Sequence, residues 1–298
     1  MNDPLPAVLR WTVLAALGGL LAVSASTGPT VQRIAVLALG GLSVLPILGW
    51  LRTLWFAPVA VAGVASWTAA SVLHVGQAVP VAALIATGTG VLAGVSAALL
   101  TQRASAPVRP WVSLGLAVGV WALVLPRLGA APAPPPLLFG IDLGSGRSLA
   151  VVGLLLVGLG VWGLGHLSRS RAGRQIGAAG SSPTLALRSG ATMPAVWVRA
   201  GVVSGVLAGW AGLLLALDVQ SVPPAGQFSA ATALVWLAVP LLGGPAWVSG
   251  VLVGAVIIGG LSALGLPEVA IACLALTAAA LTDGAGLVGA VTGRSWRR

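Results

Sequence analysis

The chain has 298 residues, 58% hydrophobic and 7% charged, with a mean hydropathy of +1.04. Soluble domains carry about a quarter charged residues, so this composition cannot cover a water-facing surface and excludes a soluble globular protein. The net charge of +10 comes from arginine alone, lysine being absent, and most arginines stand apart between apolar runs, which argues for a lipid bilayer and against nucleic acid as the partner.

A helix that crosses a bilayer needs about 20 mostly apolar residues. Stretches of this kind run over 7–25, 31–50, 54–73, 77–100, 110–128, 148–167, 195–217, 228–243, 246–264 and 266–284. They predict an all-α, polytopic transmembrane bundle of about ten spans, forming a single domain over 1–298. The first stretch has a second reading. Arg10, the apolar run Trp11 to Val23 and the small residues Val23-Ser24-Ala25 resemble a secretory signal with its cleavage site. The eighth and ninth stretches are separated only by Leu242-Gly243-Gly244-Pro245, which predicts a tight hairpin or a partly re-entrant segment.

Two connections are long. Residues 129–147 hold Ala-Pro-Ala-Pro-Pro-Pro over 131–136 and cannot continue a helix. Residues 168–194 carry four arginines and no acid, and are long enough for a short helix on the membrane surface.

Arginine placement predicts the orientation. With the N-terminus inside, the cytoplasmic side receives Arg10, Arg52, Arg103, Arg109, Arg169, Arg171, Arg174, Arg188, Arg199, Arg294, Arg297 and Arg298, and the outer side only Arg33, Arg127 and Arg147. Cytoplasmic loops collect basic residues, so both termini, including the tail 286–298, are expected in the cytoplasm. Trp11, Trp50, Trp55, Trp111, Trp197 and Trp247 fall near stretch ends, as an interfacial aromatic belt does.

The chemistry is sparse. Glu268 and Asp218 fall at outer ends, Asp283 at an inner end, and His74 and His166 near boundaries, so no ionisable group is expected at mid-membrane for a proton relay. A P-loop needs its lysine, so ATP would have to be used by a partner. His, Cys and acids are too scattered for a metal site, and neither Ser204 nor Ser249 has a His and an acid placed to activate it. Neither an enzyme nor a cofactor site is expected. The lone Cys273 has no disulfide partner. Glycines recur every four residues at Gly201/Gly205/Gly209, Gly90/Gly94, Gly115/Gly119 and Gly250/Gly254, the pattern that lets helix backbones approach closely in lipid.

Ser170-Arg171-Ala172-Gly173-Arg174, followed by Ala200-Gly201-Val202-Val203-Ser204-Gly205-Val206-Leu207-Ala208-Gly209-Trp210-Ala211-Gly212, resembles the M-type permease subunit of branched-chain amino-acid ABC importers. Pro224 to Phe228, Leu241 to Pro245, Gly250 to Ala255 and, upstream, Leu73 to Ala78 extend the resemblance over roughly 70–260. Three places depart from the family pattern. Gln175 to Leu187 is uncharged where acids are usual, Trp197 stands near a common lysine position, and Ala246 replaces a third glycine.

The resemblance implies a type II ABC importer-like fold and a permease subunit in the cell (plasma or inner) membrane. It would translocate a branched-chain amino acid or a related small polar solute, with ATP bound and hydrolysed on a partner. The implied partners are ABC ATPase subunits, a second and different permease, and an extracytoplasmic solute-binding protein. Arg169, Arg171, Gly173, Arg174 and Arg188 in the 168–194 loop would couple to the ATPase, and Gly201, Gly205, Gly209, Gly250 and Gly254 would serve helix packing. Two alternatives remain open on the residues alone: an ion-coupled secondary transporter, and a non-transporting membrane scaffold of degenerate permease ancestry.

Overall fold

The structure, a computed structural model, describes residues 27–125, 137–138, 141–143, 146–220, 225–281 and 286. The apolar stretch 7–25 with its alternative signal reading, most of the Pro-rich loop 129–147, and the tail beyond Gly286 lie outside the described residues.

The described chain is all-helical except for one antiparallel pair of two-residue strands, Leu137–Leu138 and Ile141–Asp142. The helices in chain order are α1 (Gly28–Leu45), α2 (Pro58–His74), α3 (Val79–Arg103), α4 (Arg109–Gly119) and α5 (Gly146–Arg169), then α6 (Arg171–Ser181), α7 (Pro183–Arg188) and α8 (Met193–Val219), and last α9 (Ala230–Gly243), α10 (Val248–Ala263) and α11 (Glu268–Leu281). Two helices run on into π-helical turns, α1 through Pro46–Trp50 and α4 through Val120–Val124. At the first, Pro46 has no N–H to continue the ladder, and Leu51 N donates to Pro46 O at 3.3 Å, five residues back.

Four helical rods are long and apolar enough to cross a membrane: Gly28–Trp50, Val79–Arg103, Gly146–Arg169 and Met193–Val219. The pair α9 and α10 bends by 120° at a short break and adds a fifth, as a broken span or a re-entrant hairpin. This count is lower than the number of apolar stretches because the other helices are short. Pro58 sets the start of α2 after a non-helical segment over 52–56, although Trp55 within that segment is fully buried. Helices of 14 and 17 residues, α11 and α2, reach about 21 and 26 Å, short of a hydrocarbon core of about 30 Å.

The main core is an apolar cluster from Ile34 to Ala275, with a small satellite of Val31 and Ala150 beside it, and α1 and α8 are its most enclosed helices. Helix α8 packs along α3 and α2, while α1 is wrapped by α5, α8, α9 and α10. Lipid tails are as apolar as leucine, so association in a bilayer depends on close packing and a few polar contacts. Both are present. A Cβ at Gly94 would lie 2.5 Å from Gly201 O, one at Gly209 would lie 2.7 Å from Ala86 O, and one at Gly205 would collide with the Gly90 carbonyl. Gly254 and Gly250 lie in the same way against Val239 and Gly244 backbone, closing α10 onto the end of α9. Across these faces Trp210 Nε1 donates to Thr87 Oγ1 at 3.0 Å, and the Thr68 and Thr89 hydroxyls are 3.0 Å apart. Gly115 and Gly119 meet no described neighbour within 4 Å.

The bundle has two chemically different ends. Arg52, Arg103, Arg109, Arg169, Arg171, Arg174, Arg188 and Arg199 gather at one, the basic end. The other holds Arg147 and an ion pair in which Arg33 Nε donates to Glu268 Oε1 at 2.6 Å, tying α1 to the start of α11.

Candidate functional site: a helical elbow at the basic end

After α5 the chain turns sharply at Ser170 and runs through α6 and α7 before entering α8. Ser170 makes the turn. Its Oγ accepts from Gly173 N at 3.2 Å and donates to Leu167 O at 2.7 Å, so one hydroxyl caps α6 and closes α5. Gly173 is required there, because a Cβ would run into the Leu167 carbonyl.

Helix α6 is two-sided. Gly173, Ile176 and Ala179 are buried against the bundle, while Arg171 and Arg174 are exposed. Arg174 Nη1 donates to Arg169 O at 2.6 Å, satisfying a carbonyl at the α5 terminus. Gln175 is 4% exposed and holds the elbow together. Its Nε2 donates to Ser189 O at 3.0 Å, beyond α7, and its Oε1 accepts from Arg199 Nη1 on α8. Arg188, the last residue of α7, is exposed. The elbow therefore gathers Arg169, Arg171, Arg174, Arg188 and Arg199 on a solvent-facing side and anchors its underside by apolar burial and one amide.

The elbow also rests on backbone. A Cβ at Gly180, near the end of α6, would strike the Trp50 carbonyl in the π turn of α1. One residue earlier in that turn, a Cβ at Gly49 would strike Pro245 O at the tip of the α9–α10 hairpin. Next to the elbow, Trp55 and Trp197 meet edge to face at 6.4 Å, Trp55 Nε1 donates to Ser204 Oγ at 3.2 Å, and the Arg109 guanidinium lies 5.4 Å from the Trp197 ring centre. At the position where the resemblance leads one to expect a lysine, the positive charge thus comes from Arg109 on α4, stacked on the tryptophan.

Sequence reasoning picked out the exposed arginines and Gly173. It passed over Ser170 as a cap, Gln175 as the clasp, and Gly180 and Gly49 as contact points. A serine opening a new amphipathic run is a readable capping signal. Gln175 sat unnoticed in an uncharged run because its two partners, Ser189 and Arg199, are distant in sequence.

Among the described residues no group of His, Cys, Asp or Glu is placed to hold a metal ion. The elbow can offer a basic surface on a rigid base. A family model described as branched-chain amino acid transport system / permease component matches residues 26–291 of the chain. No curated protein and no solved structure matches the chain.

Proposed function

The chain belongs to the permease-component family of branched-chain amino acid transport systems, and from that premise we propose that it is the membrane-spanning permease subunit of an ABC importer. Family membership and the apolar helices make it a multi-pass membrane transport component. The proposed cargo is a branched-chain amino acid or a related small polar solute, and ATP is hydrolysed on separate ATPase subunits. A second, different permease completes the pathway, and an extracytoplasmic binding protein supplies the solute.

The observation that carries this reading is the elbow: a two-sided helix with arginines outward, clasped by Gln175 and seated on the end of α1. A partner that pushes on such a surface moves the bundle rather than a loose loop. Under this proposal Arg169, Arg171, Gly173, Arg174 and Arg188 form or shape the ATPase contact, the basic end faces the cytoplasm together with both termini, and the fold is of the type II importer kind. The short helices α2, α4, α9, α10 and α11 then complete the ten spans with the 7–25 stretch, and the membrane is the plasma or inner membrane.

The test is affinity purification of the tagged protein from its host in mild detergent, with mass spectrometry of the co-purifying chains. Recovery of an ATPase and a second permease is the expected result. An intact, monodisperse protein that brings down neither would overturn the importer assignment and leave the scaffold or ion-coupled alternatives.

A further inference from the structure

We propose that the elbow is received by a carboxylate-rich protein surface, so that the ATPase subunit docking on it is recognised by opposite charge. Which protein docks rests on the importer reading above, and what its docking face carries comes from the elbow itself.

The elbow concentrates positive charge instead of spreading it. Arg171 on α6 reaches across to the turn that ends α7, where its Nη2 lies 3.5 Å from the place of a Cβ on Gly190. Gly190 turns the chain at a φ of +76° two residues after Arg188, so the Arg171 guanidinium is folded against the turn that carries Arg188. On the other flank, the Arg174 guanidinium is bound to the carbonyl of Arg169. The groups that hold Arg174 and Arg199 are a carbonyl and an amide, both neutral, so neither charge is cancelled. Residues 168–194 contain no acid. Among the described residues the acids lie elsewhere: Asp142 just before α5, Asp218 near the end of α8, and Glu268 on Arg33.

Gathering like charges costs free energy that a counter-charge from outside offsets. Orienting the chain in a bilayer needs basic residues in the right loops, but it does not need them converging or pinned. Every one of these bases is arginine, whose planar fork takes a carboxylate or a phosphate through two parallel N–H···O bonds. Fixed geometry separates these two acceptors. Lipid head groups diffuse and reorient, so they neutralise a mobile arginine as well as a pinned one. Pinned guanidinium groups gain against acceptors that are themselves fixed, as carboxylates on a folded protein are. Leu185 and Leu187, exposed on α7 beside Arg188, give the same partner an apolar contact. Such a surface also selects, because a docking face bearing lysine or arginine is repelled from it.

The experiment uses the absence of lysine from the chain. Arg171→Lys and Arg188→Lys each place a single lysine on the elbow. A carbodiimide joins a lysine amine to a carboxylate that it touches, forming an amide and taking up the water released. The full-length chain with a lysine-free tag is purified with its partners in mild detergent, treated, and digested for mass spectrometry. Each variant should cross-link to Asp or Glu of the ATPase subunit, and the wild-type elbow should not. In parallel, wild-type complexes are washed with about 0.1 or about 1 M NaCl, between which the Debye length falls from about 10 to about 3 Å. The ATPase subunit retained should drop at least about tenfold. An ATPase subunit that co-purifies but cross-links to neither lysine, or is held equally at both salt concentrations, overturns the acidic surface and leaves the importer reading intact. Absence of any ATPase subunit at either salt concentration overturns both. In Arg171→Gln/Arg188→Gln, unchanged ATPase retention with loss of bound anionic phospholipid identifies the bilayer as the counter-charge and overturns the proposal.

Discussion

Arg174 is exposed, yet its guanidinium is tied by one amino group to the Arg169 carbonyl. This tether presents a fixed positive charge rather than a wandering one. Arg174→Glu reverses that charge and puts an acid beside a helix C-terminus, where negative charge is disfavoured. ATP-driven uptake and ATPase co-purification should both be lost while the amount of chain in the membrane fraction is unchanged. Normal uptake by this variant would remove Arg174 from the proposed coupling surface. Gln175 makes a different prediction. Gln175→Leu strands the Ser189 carbonyl and frees Arg199, so the elbow should loosen at a cost of about 1–3 kcal/mol, read as a lower melting temperature of the purified chain. None of this pairing could be read from sequence, because an amide in a Gly/Ala/Ser run gives no hint of partners 14 and 24 residues away.

Among whole elements, the contact between α3 and α8 depends on the absence of side chains. Gly205→Val would press a branched side chain into the Gly90 backbone, and no rotamer avoids it. The expected cost is about 1–3 kcal/mol, seen as a lower thermal midpoint, whereas Gly115→Val should leave the midpoint nearly unchanged because no described atom lies near it. Equal effects at the two sites would mean that the α3–α8 contact does not depend on the absence of a side chain at Gly205, since helix propensity alone favours valine over glycine at both. The spacing was visible in the sequence at both places, but which pairs meet was not. Spacing fixes a face of a helix, and only the fold says what that face touches. Helix extents were largely legible for a related reason: apolar length is a property of the chain alone, so α8 over Met193–Val219 agrees with the stretch 195–217 within two residues at each end. The segment before Pro58 was misread as helix because a buried extended piece such as Trp55-Phe56 is as apolar as a helix.

Across the whole molecule, the basic end is connected to the α9–α10 hairpin through the π turn of α1. The contacts run from Gly180 to the Trp50 carbonyl, then from Gly49 to the Pro245 carbonyl. Gly180→Val should wedge α6 off the end of α1 without touching any exposed arginine. ATPase subunits should still co-purify and hydrolyse ATP, while uptake falls, and that separation of hydrolysis from transport is the measurement to make. Wild-type uptake in this variant would show that the contact carries no motion. In engineering terms such a joint has almost no backlash. Side chains between moving parts can change rotamer and absorb a displacement, but a glycine lying on a carbonyl has no rotamer to change. Between α6 and the hairpin tip there is therefore no side-chain rotamer at either contact to take up a displacement.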